Sequence, residues 1–476
     1  MPRTARWTLI VTSAALCIVT LDNLVVITAL SVIRDDLHAT VEQLEWTVNA
    51  YTLTFAVLLL TGAALGDRYG RRRMFSIGLA IFTAASAAAA LSPTIHVLVA
   101  ARAAQGAGGA LVTPLTLTLL SQAFPADRRG LALGIWTGVS GISVAAGPIV
   151  GGAVTEGISW HWIFWLNVPI GLFLLPFALT TIDESRGPYD RLDLRGLGHA
   201  SAGLFAIVWG LINANSEGWT STQTLAVLGA GAALCALFVR WELRTHTPML
   251  PMRFFRKRAF SAANAASLLM YFGMFGSIFL LAQFLQTAQG YSPLGAGLRL
   301  LPWTAVPLIV APLAGILTER IGGRPLMAGG LALQAVGLGW MAAVASPSVS
   351  YFELVWPFVV AGIGMSMFFA PTAFVVLGSV RPEEEGQASG ANNAIRELGG
   401  VFGVAVLAGV FAAYGSFQSP GSFTDGLVAA TWVGAAVVGA GAFASLAIPP
   451  LQRGASGERR TTTASWLIGG SPPTNS

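Results

Sequence analysis

Fourteen apolar stretches run the length of this chain, at approximately residues 8–30, 46–66, 74–92, 96–121, 131–153, 160–181, 198–214, 222–240, 262–286, 296–317, 325–345, 352–377, 388–413 and 427–449. A helix needs about 20 apolar residues to cross a bilayer, and nearly all of these stretches supply them. Lipid offers no water to backbone N–H and C=O groups, so the stretches must be helices; spanning strands would be shorter and would alternate in polarity. Only 10% of the residues are charged and 54% are hydrophobic, whereas soluble domains carry about 25% charged residues. The fold class implied is an all-α integral membrane protein with 14 spans. The seventh stretch, short and carrying Gly and His199, is the least regular.

The net charge of +5 has a position, not just a size. Of the 27 Lys and Arg, 23 fall on one side if fourteen spans alternate direction, from Arg3 and Arg6 through Arg68, Arg71, Arg72 and Arg73 to Arg453, Arg459 and Arg460. The exceptions are Arg34, Arg102, Arg299 and Arg396, of which only Arg34 lies in an opposite-side loop. An odd number of spans would scatter this sorting. By the positive-inside rule both termini are expected in the cytoplasm. The basic excess is therefore an orientation signal and not a nucleic-acid surface. Arg3 and Arg6 before an apolar run also resemble a signal peptide, but that run passes Leu24 without a small-residue cleavage site, so it reads as an uncleaved first helix. Cys17 and Cys235 lie in separate apolar stretches, fit no metal spacing and are not expected to form a disulfide.

The chain also repeats itself. Leu65-Gly66-Asp67-Arg68-Tyr69-Gly70-Arg71-Arg72 returns as Leu317-Thr318-Glu319-Arg320-Ile321-Gly322-Gly323-Arg324. Gly130 and Gly134 open the fifth stretch as Gly386 and Gly390 open the thirteenth, with Gly147 and Gly403 at matching offsets. These correspondences predict two parallel six-helix bundles, 1–181 and 259–449. Residues 182–258 hold linkers and two inserted spans without counterpart, and 450–476 read as a disordered cytoplasmic tail.

Further motifs carry a family resemblance. Leu21-Asp22-Asn23-Leu24-Val25-Val26-Ile27-Thr28-Ala29-Leu30 is similar to an L-D-x-T-V-V-N-V-A-L signature, with Leu24 and Ile27 departing from it. Arg102-Ala103-Ala104-Gln105-Gly106 lies in the fourth stretch, and Gly147-Pro148 with Gly151-Gly152 resembles an antiporter motif in the fifth. Trp160-His161-Trp162-Ile163-Phe164-Trp165-Leu166-Asn167-Val168-Pro169 is similar to W-R-W-I-F-x-I-N-V-P, with His161 in place of arginine. Together with the six-plus-six plan and the repeated turn, these resemble the major facilitator superfamily, and the extra central pair points to its fourteen-span drug:proton antiporter branch. The resemblance implies alternating access driven by a proton gradient, with no cofactor.

The residues add their own reasons. Asp22 stands about 15 residues into the first stretch, roughly 22 Å at 1.5 Å per residue. A carboxylate at that depth costs about 2.5–3.5 kcal/mol to insert, so it needs a partner or water. Arg102, in the same outer half, is the obvious partner, and Asp22 is expected to be wetted and titratable. Arg396 and Glu397, about ten residues into the thirteenth stretch, complete the candidate coupling set; adjacent helical residues point about 100° apart, so they need not pair with each other. One or both are expected to face the central cavity with Asn392 and Asn393. A structural ion pair is the competing reading for each.

Asp67, Arg68, Gly70 and Arg71, with Glu319 and Arg320, form a candidate conformational switch through charge-assisted bonds to neighbouring helix ends. Gly147, Pro148, Gly151 and Gly152 break helix regularity and allow close approach. Asn23, Asn49, Gln105, Gln283, Gln286, Asn392 and Asn393 are candidates to line a substrate path. No nucleophile–base set, phosphate loop or metal cluster is visible in the sequence. The expected function is export of antibiotics or other amphipathic toxic compounds in exchange for protons. A dedicated exporter of a metabolite, siderophore, amino acid or lipid is the alternative, and a non-transporting sensor on the same fold is a distant one. The expected partners are a small-molecule substrate, protons and the bilayer, with no nucleic acid and no obligatory protein.

Overall fold

A computed structural model of the chain describes residues 3–124, 126–186, 193–246, 248–381 and 384–450. The segment 451–476, read from sequence as a tail, lies outside the described residues, as do Arg191 and the side chains of Arg128, Arg129 and Glu319. All regular elements described are helical.

The first group comprises α1 (Arg3–Leu37), α2 (Val41–Tyr69), α3 (Arg71–Ala90), α4 (Ile95–Ala123), α5 (Ala126–Gly157), α6 (Trp162–Trp165) and α7 (Asn167–Thr181). The inserted pair is α8 (Leu194–Glu217) and α9 (Thr222–Glu242), followed by a 3-10 turn at Met252–Arg256. The second group comprises α10 (Arg258–Thr287), α11 (Pro293–Thr304), α12 (Pro307–Ile321), α13 (Gly323–Val344), α14 (Tyr351–Gly378), α15 (Glu385–Tyr414) and α16 (Pro420–Leu446). Thirteen segments among the described residues are long and apolar enough to span a bilayer, and α5 runs 32 residues beside them.

Two of these spans stay continuous as spans but carry a local interruption of the helical ladder, with Leu166, Ala305 and Val306 keeping helical dihedrals. The sixth is interrupted at Leu166, between α6 and α7, and the tenth between Thr304 and Pro307, where α11 gives way to α12. Proline is the cause in both, because Pro169 and Pro307 bring no N–H to the helical ladder and Pro302 removes another donor just upstream.

The ends of the spans are set by local chemistry. Thr40 starts α2 with a capping box, its hydroxyl accepting from Gln43 N while the Gln43 side chain accepts from Thr40 N. Thr94, Ser221, Ser292 and Ser419 cap other helices on the same face. The repeated turns are formed alike in the backbone: Gly70 has φ +109° and Gly322 has φ +83°, each joining one span to the next. Only glycine adopts such values without strain. These two turns, with Arg68, Arg71, Arg72, Arg73, Arg320 and Arg324, mark one end of the helices as the basic face.

Tight packing follows equivalent pairs. In the first group α5 lies on α1, and in the second α15 lies on α10. The two groups meet where α5 packs on α11 and α2 packs on α15. Along α15, Ala394, Leu398, Val401 and Ala405 share one stripe and sit in clusters with Tyr51, Leu53 and Val57 of α2. Val208 and Ile212 of α8 join the same cluster, so the inserted pair leans on the seam between the two groups.

Candidate functional site

Asp22 and Arg102, 80 residues apart in sequence, form an ion pair with no exposure of either side chain. Asp22 Oδ2 accepts from Arg102 Nη1. Asp22 Oδ1 accepts from Asn167 Nδ2 at 2.7 Å and from Gln105 Nε2 at 3.2 Å. Ser86 Oγ accepts from both amides. Arg102 also donates to Thr47 O through Nε at 3.2 Å and to Gln105 Oε1 at 3.0 Å, and its guanidinium lies 4.3 Å from the centre of the Tyr51 ring. Five helices therefore converge on one ion pair. The partnership expected from sequence is present; the expected wetting is not. Protein donors occupy both oxygens of Asp22 and stand in for solvent, so the carboxylate is sealed in this conformation.

Sequence reasoning singled out three members of this network and missed three. Asn167 lies within the Trp160–Pro169 motif and could have been taken from it. Ser86 and Thr47 carry no signal, because their role depends on how α3 and α2 are rotated.

Arg396 is not part of this centre. It sits in the second group, where Nη2 donates to Tyr271 Oη and Nη1 to Asn393 Oδ1 at 3.1 Å. The guanidinium lies 4.5 Å from the Tyr271 ring centre and 5.7 Å from that of Phe369. No ion pair joins it to a carboxylate among the described residues, Glu397 included. Glu397 falls on the side of α15 that continues the stripe facing α2, and its Oε2 is buried without a partner. Asn392 turns the other way, donating to Asn264 Oδ1 and Ser267 Oγ at 3.0 Å each.

Of the antiporter-motif residues, Gly147 and Gly151 pack on α1 within the first group, and Pro148 and Gly152 lie in the seam between the groups. A Cβ on Gly147 would stand 2.6 Å from Leu24 Cβ, and one on Gly151 would collide with Thr28 Oγ1, both on α1. A Cβ on Gly152 would collide with Pro293 O, and one on Gly297 with Pro148 O. Gly152 and Pro148 thus hold α5 against α11 of the second group. Gln286, expected along a substrate path, is occupied in the same seam: it accepts from Ser31 Oγ and donates to Thr28 O at 3.0 Å. Arg34 lies 4.3 Å from the Phe417 ring centre nearby, and Glu156 accepts from Leu294 N at 3.1 Å. All of these contacts lie away from the basic face, so the two groups are closed on the opposite face.

At the basic face the switch residues bond locally. Asp67 pairs with Arg71 at 2.7 Å, and Arg68 lies over the Tyr69 ring at 5.0 Å. Glu184, not anticipated, accepts from Arg72 N and Arg73 N and so caps α3. Arg320 is exposed. Among the other path candidates, Gln283 donates to Phe279 O while its Oε1 is buried without a partner, and Asn23 Oδ1 and both Asn49 amide atoms also lack partners among the described residues. Glu45, buried one turn before Asn49, is a further orphaned carboxylate that the sequence reading passed over. Two cavities of about 270 and 370 Å³ lie at the basic-face rims, by Gly322 and Ile448 and by Arg72 and Glu184, and neither is lined by Asp22 or Arg396.

Comparison with known proteins agrees with this architecture. The tetracenomycin C resistance and export protein of Streptomyces glaucescens is 36% identical over 403 residues, 84% of this chain and 74% of that protein. The multidrug resistance protein Stp of Mycobacterium tuberculosis (strain CDC 1551 / Oshkosh) is 38% identical over 417 residues, 87% of this chain and 77% of its own. In structure, a bacterial homologue of the human lysosomal transporter Spinster superposes with a TM-score of 0.67 at 17% identity, covering 94% of this chain and 98% of that one. A POT family transporter does so with 0.68 at 15%, covering 92% and 95%. Residues 12–263 and 263–471 each match the family described as Major Facilitator Superfamily. Two matches in series, a duplicated turn built on equivalent glycines, and relatives that are antibiotic and multidrug exporters leave one assignment: the chain is a multi-pass membrane transporter of the major facilitator superfamily.

Proposed function

We propose that the protein exports antibiotics or other amphipathic toxic compounds in exchange for protons. Two six-helix bundles, 1–181 and 259–449, alternate in exposing a site between them, with the basic face in the cytoplasm. The observation that carries the reading is the sealed Asp22–Arg102 centre in a conformation whose opposite face is closed. Arg102 occupies the Asp22 oxygen that a proton would otherwise take. When the opposite face opens, a proton from outside takes the place of Arg102 on Asp22, and the freed guanidinium turns to its remaining acceptors, Thr47 O and Gln105 Oε1.

Reclosure carries the proton inward, where Arg102 expels it. Each inward charge gains about 2.3 kcal/mol per 100 mV, and at about 1.4 kcal/mol per decade this sustains roughly a 40-fold substrate gradient. Glu397, facing the seam, is the second protonation candidate. Relatives named for tetracenomycin C export and for multidrug resistance support a small organic cargo. The test is uptake of a fluorescent drug into everted vesicles, which corresponds to export: transport stops when the proton gradient is collapsed by an uncoupler, and transport that persists overturns the coupling.

A further inference from the structure

The two charged centres differ in a way that bears on the cargo. Arg102 has a carboxylate on its guanidinium and no exposure. Arg396, twelfth residue of the 30-residue α15 and thus about 17 Å along it, has neither feature: it is half-buried and pairs with no carboxylate among the described residues. A guanidinium carries five N–H donors. Only two of its bonds go to protein, and Nε is buried without an acceptor. The neighbouring Glu397 carboxylate lends a through-space charge but no hydrogen bond, so free donors near the middle of a membrane remain costly unless a ligand engages them for part of the cycle.

The surroundings define what would fit. Tyr271 holds the guanidinium by its hydroxyl and lies beneath its plane, with Phe275 stacked 5.6 Å beyond and Phe369 edge-on at 6.3 Å. Asn393 draws the side chain toward the part of α15 it shares with Glu397. Aromatic faces that fix a cation also stack a flat ligand, and a fork of free donors matches a carboxylate or phenolate.

We propose that Arg396 is the cargo-recognition residue and that its ligand is a planar aromatic anion, a carboxylate or phenolate, stacked on Phe369 and paired with the guanidinium. This rests on the export reading and deepens it. Tyr271 is a positioning residue: it presents the guanidinium and does not itself meet the charge of the ligand.

The test uses the full-length protein in liposomes with an acid interior and three probes: an anthracene carboxylate, its methyl ester and an anthracene trimethylammonium. The acid interior does not passively accumulate a weak acid, so uptake of the carboxylate reports the carrier. The wild-type protein takes up the carboxylate with a KM at least about tenfold below that of the ester, as one hydrogen bond to a charged group is worth about 1.5–3 kcal/mol. Arg396→Gln raises the carboxylate-to-ester KM ratio by at least the same factor, and Arg396→Lys restores part of it. Equal wild-type KM values for carboxylate and ester overturn the proposal without recourse to any variant. So does an Arg396→Gln that slows all probes equally, which would mark a structural post. Transport of the trimethylammonium but not the carboxylate overturns this inference and leaves export standing. If no anthracene probe moves under a gradient that still drives the fluorescent drug, the inference falls and export stands; if the drug does not move either, export itself fails.

Discussion

The Asp22→Asn substitution changes one atom of the buried centre and removes its only negative charge. Arg102 then stays fully buried with Thr47 O, Gln105 Oε1 and the Tyr51 ring for company. The ring attraction is present before and after the change, so it cancels. Breaking one side of a buried ion pair costs about 3–5 kcal/mol, most of it from the stranded partner. The introduced amide also aims a donor at Arg102 or at the amides of Asn167 and Gln105, which adds to the loss. The Asp22→Asn/Arg102→Gln double variant removes the stranded cation and should recover most of that stability, so the two single losses do not add. Thermal unfolding in detergent measures the cycle, and drug uptake into everted vesicles measures function in parallel. The expected outcome is a double variant nearly as stable as the wild type and without gradient-driven uptake. A single variant that melts like the wild type would mean that the pair is not desolvated. A double variant that still exports against a gradient would move the coupling away from Asp22.

Gly70→Ala forces a β-carbon into φ +109° and to 2.8 Å from the Glu184 carboxylate, costing about 1–3 kcal/mol; Gly229→Ala, where the added carbon meets nothing, is the thermal-melt control and should not destabilise. Gly297→Leu cannot fit against Pro148 O, so it should hold the opposite face open. A cysteine placed at Ser31, in a background lacking Cys17 and Cys235, should then react faster with a membrane-impermeant maleimide. Glu384, at the foot of α15, accepts from Arg381 at 2.8 Å and Arg253 at 2.7 Å, and these pull its carboxyl down from 4.5 to about 2. A depressed carboxyl stabilises the fold above its unfolded value and loses that effect as pH falls through about 2. Both arginines are largely exposed, so Glu384→Gln should cost no more than about 1 kcal/mol, constant from about pH 5 to 8 in denaturation curves.

Much of this was legible in the sequence because lipid removes alternatives. Span positions, the parity of the count and the paired turns at Gly70 and Gly322 follow from hydropathy, arginine placement and the handedness of the backbone. Even the Asp22–Arg102 pairing could be found by counting residues from opposite ends of two helices, since both must find a partner at one depth. Depth is a one-dimensional quantity. What stayed hidden depends on rotation about helix axes: that Asn167 and Ser86 close over Asp22, that Gln286 clasps Thr28 and Ser31 instead of lining a path, and that Arg396 turns to Tyr271 and away from Asp22. The interruptions at Leu166 and between Thr304 and Pro307 were hidden for another reason. Proline in a membrane helix either kinks or ends it, and which one occurs depends on whether neighbours cover the freed carbonyls.

On the proposed coupling, the packing of α1 ties Asp22 to the seam between the two groups. Asp22 lies on the same helix as Leu24, Val25 and Thr28, which Gly147 and Gly151 of α5 approach so closely that an added methyl group has no room. About 100° round α5, Pro148 and Gly152 meet Gly297 and Pro293 with equally little slack. Thr28 O and Ser31 bind Gln286 of α10 directly. A rotation of α1 that releases Asp22 from Arg102 therefore has nowhere to be absorbed: close-packed contacts transmit displacement instead of damping it. The small residues of the motif leave no cushion between the helix that carries Asp22 and the seam between the two groups.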